Sequence, residues 1–310
     1  MKELPADVLA TKEDKRFATT EIVADYRAQR LACDTLLEIG CGVGMQTRSF
    51  AETCKKVIAV DTDKRKVIFA RKNCKASNVD FHVGDGLKVL ESTEADVVFC
   101  DPERPASEGQ RKLSSLQPDP TKLLEMCEEK GAALAIELPP QIQQVSFPAE
   151  LEYLDVGGKL NRLTAYTGRL ARSSASVVAL PSRYRIEGNK GEGKEGHVGE
   201  WLSELSPAVV KAGLVGQFGE GVSDGKAWYV TNKLQNPFVV NTYKVLGEAE
   251  NVEEAVVLLK KHGFGKVLLR LRVKPEEYWR VRKQVEADLE GEKQAALLEI
   301  HQKLYVVSKV

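Results

Sequence analysis

The stretch LEIGCGVG, residues 37–44, lies between a short apolar run and a segment with the apolar spacing of a helix. Gly40, Gly42 and Gly44 within it lack Cβ atoms, so the backbone can turn tightly and lie close against a ligand. The helix that follows directs its N-terminal N–H groups, with their partial positive charge, toward the same place. The stretch therefore predicts a ligand-binding loop between a strand and a helix.

Short apolar runs and helix-like segments alternate around this loop. The predicted strands are DTLLEIG, KVIAV, VDFHV, ADVVFC and GAALAIEL, and the predicted helices between them are MQTRSFAETC, KRKVIFARKNCKA and TKLLEMCEEK. This alternation predicts βαβ units and a parallel sheet covered on both faces. Three β-rich segments follow Pro140 without a helix, and they predict antiparallel strands at the sheet edge: LEYLDVG, NRLTAYTGRL and SASVVALPS.

The chain of 310 residues is long enough for two domains. Residues 1–182 carry the strand–helix alternation, and residues 183–200, rich in Gly, Lys and Glu, predict a linker or loop. The last part of residues 201–310 follows the order βαβαββ, with Pro275 in the first turn of its second helix. The predicted fold class is thus α/β, a Rossmann-like sheet that is parallel with an antiparallel edge, plus a smaller C-terminal α+β domain.

The spacing of the loop and an acidic residue beyond it indicate the ligand. Dinucleotide sites read GxGxxG, with a third glycine where this chain has Met45, whereas this chain reads ExGxGxG from Glu38. That spacing favours a methyl donor carrying a carboxylate over a dinucleotide carrying a pyrophosphate. Asp61, followed by Thr62, ends the second strand about 20 residues later, where a carboxylate can accept the hydrogens of both ribose hydroxyls.

The motif FHVGDGL after the third strand supplies another piece of the same site. Asp85 can accept a hydrogen of the adenine amine, and Gly84 and Gly86 permit the turn around it. All these pieces lie at carboxyl ends of strands, the edge at which a doubly wound sheet binds its ligand. The sequence therefore predicts an S-adenosylmethionine site.

In these motifs the first half of the chain resembles the class I S-adenosylmethionine-dependent methyltransferases. Residues 16–105 are similar to the trimethylguanosine synthase-like RNA methyltransferases, in RFATTEIVADYRAQRL and in CGVGMQTRSFA. This resemblance places Phe17, Thr19 and Thr20 near the cofactor. The whole chain resembles methyltransferases with a C-terminal THUMP-like domain, in HVGEWLSELSPAVVKAGLVGQF and in the final βαβαββ segment, and that likeness implies RNA binding.

The stretch VVFCDPERP follows the fourth strand, where amine methyltransferases carry Asp, Asn or Ser, two prolines and an aromatic residue. Asp101 and the carbonyl of Pro102 can hold the two N–H groups of a base amine and localise its lone pair. Glu103 and Arg104 depart from the pattern, although an arginine plane at 104 can stack on a base or hold a phosphate. The DPER segment is also similar to the DPPR of uridine-C5 methyltransferases, but AIELPPQ stands where their catalytic cysteine belongs.

Lys and Arg number 45, as do Asp and Glu, so a nucleic-acid partner would need a local basic patch. Two basic stretches with aromatic residues offer one, GKLNRLTAYTGRLARSS and KKHGFGKVLLRLRVKPEEYWRVRK. In the second, Arg270, Arg272 and Arg280 are the predicted substrate-binding residues. A solvated helix face is the other interpretation of this charge run.

The sequence predicts a cytoplasmic protein without a membrane segment or a metal. Its N-terminus lacks the apolar core of a signal peptide, its apolar runs are short, and its six cysteines have no CxxC spacing, which indicates buried reduced thiols. The favoured function is an S-adenosylmethionine-dependent methyltransferase acting on RNA, at a base amine nitrogen. Two alternatives stay open: a methyltransferase of proteins or small molecules, and a non-catalytic RNA-binding factor that retains the cofactor.

Overall fold

The structure is a computed structural model that describes residues 5, 7–103, 112–142 and 145–310. Contacts between residues divide the chain into two compact units. The first comprises Met1–Gly157 and Asn161–Gly188, and the second comprises Gly158–Leu160 and Asn189–Val310. No helix in the described ranges is long and apolar enough to span a membrane.

Within the described residues, the first unit is built on a sheet of nine strands in the order β3-β2-β1-β4-β5-β7-β6-β8-β9. Its strands are β1 (Thr35–Ile39), β2 (Lys56–Asp61), β3 (Val79–Val83), β4 (Val97–Cys100), β5 (Ala133–Leu138), β6 (Glu150–Val156), β7 (Leu160–Tyr166), β8 (Ala175–Leu180) and β9 (Tyr184–Gly188). Its helices are α1 (Lys12–Phe17), α2 (Glu21–Arg30), α3 (Met45–Thr53), α4 (Lys64–Asn73), α5 (Gly86–Glu91) and α6 (Pro120–Glu129).

The predicted fold class is confirmed by the pairing of these strands. β3, β2, β1, β4 and β5 are parallel neighbours, and β7 runs antiparallel to β5. The inner strands β1, β4 and β5 are mostly apolar and buried because helices cover both faces, whereas β3 at the edge carries the exposed Asp80 and His82. Leu36, Phe50, Val57 and Phe99 belong to one of the resulting clusters, and the rings of Phe50 and Phe99 meet edge to face at 5.3 Å between centroids.

Two features of the sheet edge differ from the prediction. β6 and β8 are parallel, not antiparallel, because the chain leaving β7 crosses β6 in the sheet before it forms β8. The stretch predicted as a linker begins with a strand, β9, which pairs antiparallel with β8. Ion pairs connect β9 to the sheet, since Arg185 on β9 donates hydrogen bonds to the buried carboxylates of Glu150 and Glu152 on β6.

The second unit has a seven-stranded sheet among its described residues, in the order β11-β12-β10-β13-β16-β15-β14. Its strands are β10 (Trp201–Leu205), β11 (Gly221–Ser223), β12 (Trp228–Val230), β13 (Val239–Ala249), β14 (Lys266–Arg270), β15 (Gln294–Ile300) and β16 (Lys303–Lys309). Its helices are α7 (Pro207–Ala212), α8 (Val252–Lys261) and α9 (Tyr278–Glu286). The order β13-α8-β14-α9-β15-β16 follows the predicted βαβαββ segment, while β10, β11 and β12 extend the sheet beyond it.

One helix boundary in this unit differs from the prediction. Pro275 lies before α9 rather than in its first turn, and the helix begins at Tyr278. The residues from Lys274 to Glu277 form a turn closed by a hydrogen bond from the Glu277 N–H to the Lys274 carbonyl, 2.9 Å. Proline suits the second position of such a turn as well as it suits a helix start, so its presence alone does not decide between them.

Candidate cofactor and transfer site

The glycine loop follows β1 and leads into α3. Gly40, Gly42 and Gly44 have φ values of 84°, 56° and 82°, in the left-handed region that side chains disfavour. A Cβ at Gly40 would lie 2.9 Å from the carbonyl oxygen of Asp101, and a Cβ at Gly44 would lie 3.0 Å from the Cα of Ala70. Conformation therefore favours glycine at all three positions, and crowding also requires it at Gly40 and Gly44, whereas a Cβ at Gly42 would meet nothing within 4 Å.

Asp61 ends β2, the strand next to β1, and its side chain is buried. Its Oδ2 accepts a hydrogen bond from the Gly42 N–H over 2.8 Å, and its Oδ1 accepts one from the Asp63 N–H over 2.9 Å. A carboxylate has about four lone-pair sites, so each oxygen can accept one bond more. Asp61 can thus serve two vicinal hydroxyls beside the glycine loop. Thr62 follows it and is exposed.

The third strand end carries the GDG turn. Asp85 is exposed and begins α5 as its N-cap, where its Oδ1 accepts a hydrogen bond from the Leu87 N–H at 2.9 Å. A Cβ at Gly86 would lie 2.4 Å from Cγ2 of Ile39, and the Gly84 N–H donates to the Asp61 carbonyl at 3.0 Å. The turn is therefore packed against β1 and β2, with a carboxylate at its open side.

Glu38 on β1 lies beneath the loop, with 1% of its surface exposed. The Thr47 hydroxyl of α3 donates a hydrogen bond of 2.6 Å to its Oε2. Burial raises the pKa of Glu38 to about 8, although the hydrogen bond from Thr47 and the charge of Arg27 oppose that rise. The raised pKa favours the protonated, uncharged form of this carboxyl beneath the loop.

The segment predicted to lie near the cofactor joins α1 to α2. Thr19 is buried, Phe17 is 61% exposed, and Thr20 is the N-cap residue of α2. α1 is held to α4, the helix after Asp61, because both guanidinium Nη atoms of Arg65 donate to the carboxylate of Asp14. This contact holds α1, which precedes the segment, near the carboxyl end of β2.

The predicted transfer residues follow β4, beside the loop that follows β1. Asp101 is half-buried, its N–H donates to the Ile39 carbonyl at 3.3 Å, and its own carbonyl is the atom that faces Gly40. Pro102 is buried, and Glu103 is exposed and pairs with Lys66. Arg104, predicted to contact the substrate, lies outside the described residues.

The structure also contains a buried ion pair close to this site, which the sequence analysis did not predict. Arg27 of α2 is 1% exposed, and its two Nη atoms donate to Gln46 on α3 at 2.9 Å and to Glu137 on β5 at 2.8 Å. Its guanidinium also lies over the Phe99 ring of β4, 4.7 Å from the centroid. Arg27 thus links α3, the helix after the glycine loop, to β5 and to β4, the strand that precedes Asp101.

Glu137 is the centre of that link. Burial alone would raise the pKa of Glu137, but the charges of Arg27 and Arg162 lower it below its usual value, so the carboxyl is ionised. Residue 137 is one position past Ile136, which is paired with Cys100 of β4, so it neighbours Asp101 on the adjacent strand. A lone acid inside the apolar run AALAIEL was the available sequence signal.

The predicted substrate-binding arginines lie in the second unit and differ in their surroundings. Arg270 is mostly buried, and one Nη atom donates to Glu204 at 2.7 Å and to the Tyr229 hydroxyl at 2.8 Å. The side chain of Arg272 is 65% exposed and lies 4.0 Å from Glu299. That of Arg280 is 61% exposed and pairs with Glu277 at 2.9 Å. Arg270 is therefore part of an internal polar network, while Arg272 and Arg280 face solvent.

The family described as "Methyltransferase domain" matches residues 37–101, the segment from the glycine loop to Asp101. This segment of the chain is thus similar to a methyltransferase domain, and it spans the glycine loop and the parallel strands around it. Among the described residues there is no group of three or more His, Cys, Asp or Glu placed to hold a metal ion.

Relatives of the chain extend beyond this segment. An uncharacterised S-adenosylmethionine-dependent methyltransferase of Mycobacterium tuberculosis is 26% identical over 222 residues, 68% of this chain. The chain spans 61% of that relative's length. A candidate ribosomal RNA small subunit methyltransferase A of Thermococcus onnurineus is 41% identical over 63 residues, 20% of this chain and 23% of its own.

One solved structure shares the fold along nearly the whole chain. A crystal structure of a candidate methyltransferase from Porphyromonas gingivalis W83 has a TM-score of 0.77 and 13% identity, and the likeness covers 97% of this chain and 83% of the other. Similarity at that identity concerns the fold alone. The second unit therefore has a fold counterpart as well.

Proposed function

We propose that this protein is an S-adenosylmethionine-dependent methyltransferase that acts on RNA, with a base amine nitrogen as the favoured acceptor. The observation that carries the proposal is the close approach of the glycine loop to the residue that follows β4. Gly40 of the loop faces the backbone of Asp101. Asp101, a half-buried residue, is thereby held beside the glycine loop, and transfer between a bound methyl donor and a positioned amine requires such proximity.

The cofactor fits the residues at this edge. The loop amides and the N-terminus of α3 suit the carboxylate of the methionine part. We assign Asp61 to the ribose hydroxyls and Asp85 to the adenine amine, and the raised pKa of Glu38 favours an uncharged carboxyl beneath the loop. When bound, S-adenosylmethionine supplies a methyl group already activated on a sulfonium.

The transfer residues act on the acceptor. The Asp101 carboxylate and the Pro102 carbonyl can accept the two hydrogens of a base amine and direct the nitrogen lone pair toward the donor. A base amine is a poor nucleophile because its lone pair is delocalised into the ring, so this orientation is the main help it needs. A base in a paired region would have to leave its stack to reach the site.

RNA is favoured as the substrate by two observations. About a fifth of the chain is similar to a candidate ribosomal RNA small subunit methyltransferase A, and a similar share to a candidate dimethyladenosine transferase of Dictyostelium discoideum, 42% identical over 67 residues. The second unit, which we propose is THUMP-like, exposes Arg272, Arg280 and the ring of Trp279, groups that suit a phosphate backbone and an unpaired base. A cytoplasmic location goes with this proposal.

Labelling distinguishes this proposal from its alternatives. The purified protein is incubated with methyl-labelled S-adenosylmethionine and total cellular RNA, and the RNA is digested to nucleosides. Label in an N-methylated nucleoside, absent with Asp101→Ala and present with the exposed neighbour variant Glu103→Gln, is the expected result. Label in protein or small molecules instead would indicate the second function, and cofactor binding without any labelled product would indicate a non-catalytic factor.

A further inference from the structure

Two cysteines lie side by side at the edge of the first sheet opposite the cofactor loop. Cys33 precedes β1 and Cys54 ends α3, 21 positions apart in the chain, and their Sγ atoms are 3.9 Å apart. Cys33 is half-buried, whereas Cys54 and the other four cysteines are buried. This pair therefore combines a short sulfur–sulfur distance with access from solvent on one side.

The backbone around the pair is already joined. The Lys55 N–H donates to the Cys33 carbonyl at 3.3 Å, and the Lys56 N–H donates to the Asp34 carbonyl at 2.8 Å. These bonds hold the end of α3 against the start of β1. A disulfide bond of about 2.05 Å can form across such a site by side-chain rotation and a small shift of the backbone.

The surroundings also favour a thiolate at one of the two positions. The hydrogen bond from the Cys33 thiol lowers the pKa of Cys54 to about 6, and the Thr53 hydroxyl, 3.8 Å from the Cys54 sulfur, acts in the same direction. A thiolate is the form of cysteine that reacts with peroxides, and an adjacent thiol is what resolves the product.

We propose that Cys33 and Cys54 form a reversible disulfide when the protein meets a hydroperoxide. The thiolate sulfur attacks one peroxide oxygen, the O–O bond breaks, and a sulfenic acid and one molecule of water or alcohol result. The second thiol then attacks the sulfenic sulfur, the S–O bond breaks, and water leaves as the S–S bond forms. Two thiols are oxidised by two electrons, and one hydroperoxide is reduced.

The bridge closes a ring that contains β1, the whole glycine loop and α3. The segment that carries the proposed cofactor loop would then be tied at both ends, and neither cysteine would remain as a sulfenic acid open to irreversible oxidation. A dithiol reductant reopens the ring. The proposal does not depend on which molecule accepts the methyl group.

The test uses the full-length protein, treated with hydrogen peroxide, blocked with an alkylating agent and digested for mass spectrometry. The expected result is a peptide pair linked through Cys33 and Cys54, a loss of about 2 Da from the intact monomer, and recovery of both thiols with dithiothreitol. Cys33→Ser, at the more exposed position, should abolish the link, as should Cys54→Ser if it folds. Cys127→Ser, at a buried site on α6, should leave it unchanged.

Three results would overturn the proposal. One is sulfinic or sulfonic acid at Cys33 or Cys54 without a linked peptide. Another is a disulfide between two copies of the chain. The third is two intact thiols at a peroxide dose that fully oxidises free glutathione in the same tube. Because the readout is a covalent bond and not activity, failure here leaves the proposed methyl transfer untouched.

Discussion

The N–H of Gly42 donates a hydrogen bond to Oδ2 of Asp61 over 2.8 Å. Gly42 lies in the glycine loop that follows β1, and Asp61 is the last residue of β2. The bond therefore joins the loop after one strand to the carboxylate at the end of the next. A buried carboxylate that accepts N–H bonds at a fixed place is preorganised to accept hydroxyl hydrogens as well. The glycine loop and Asp61, the residue proposed to bind the ribose, are therefore a single hydrogen-bonded assembly.

Removing this carboxylate should abolish cofactor binding. Asp61→Ala loses the loop contact and the proposed ribose contacts together, so we expect affinity for S-adenosylhomocysteine to fall by about 100-fold or more, since a hydrogen bond to a charged group contributes about 1.5–3 kcal/mol. Titration calorimetry measures this affinity. Asp80→Ala, at an exposed position on β3, should bind normally. Near-normal affinity of Asp61→Ala would remove the ribose assignment.

Glu38 should make the protein less stable as the pH rises. Its pKa is about 8 when folded, above the usual value of about 4.3, so the unfolded chain releases this proton at a lower pH than the folded protein. Stability from the neutral form is full below about 4.3, declines between about 4.3 and about 8, and is lost above. Thermal unfolding at pH 5 and pH 8 should show a smaller decrease for Glu38→Gln than for the parent, while the exposed Glu91→Gln should resemble the parent.

Asp101 should matter for transfer and little for donor binding. Asp101→Ala removes the group proposed to orient the acceptor amine, so we expect the rate of methyl transfer to fall by at least about 100-fold while affinity for S-adenosylhomocysteine changes less than about threefold. Single-turnover assays and calorimetry measure the two quantities. If Asp101→Ala retained transfer, the residue would have no catalytic role.

Removing one partner of the buried ion pair of Arg27 and Glu137 should destabilise the first unit. Glu137→Gln leaves the buried Arg27 without its counter-charge and should cost about 3–5 kcal/mol, whereas Arg27→Met should cost less because Glu137 keeps Arg162. The double variant should cost clearly less than the sum of the two, which denaturant unfolding can show. Arg48→Met, which breaks the more exposed pair with Asp7, should cost less than about 1 kcal/mol. Additive effects of Arg27→Met and Glu137→Gln would argue against direct coupling.

The basic residues of the second unit should separate into two groups. Arg270→Ala should lower stability because Glu204 and Tyr229 lose their partner. Arg272→Ala combined with Arg280→Ala should weaken RNA binding and reduce the salt slope by about 2, with stability unchanged. Filter binding at several salt concentrations measures this. A matched control, Lys226→Ala in the turn between β11 and β12, lies at the opposite edge of the sheet from β14.

The parts of the fold that sequence predicted well are those set by local pattern. The apolar runs and the glycines at 40, 42 and 44 specify β1, its loop and α3 without reference to distant residues, and the structure follows them. The assignment of individual side chains to the cofactor remains a prediction. The geometry adds that Asp61 already holds the loop and that Asp85 already caps α5.

The features that sequence did not predict depend on partners far away in the chain. Arg27 meets Glu137 across 110 positions, and Arg185 meets Glu152 across 33, so no window of local sequence contains either pair. The direction of β8 relative to β6 depends on a crossover, and apolar alternation is the same for both directions. Arg270 was grouped with exposed cations because its acidic partner, Glu204, is 66 positions earlier.

The crowding between Gly40 and the Asp101 carbonyl has a consequence for how this protein can be altered. A side chain at position 40 would press on the backbone of Asp101, so under the proposed function the positions of the methyl donor and of the acceptor cannot be changed independently. Changes of substrate range, in nature or by engineering, are therefore best sought at exposed positions next to this crowded point, such as Glu103.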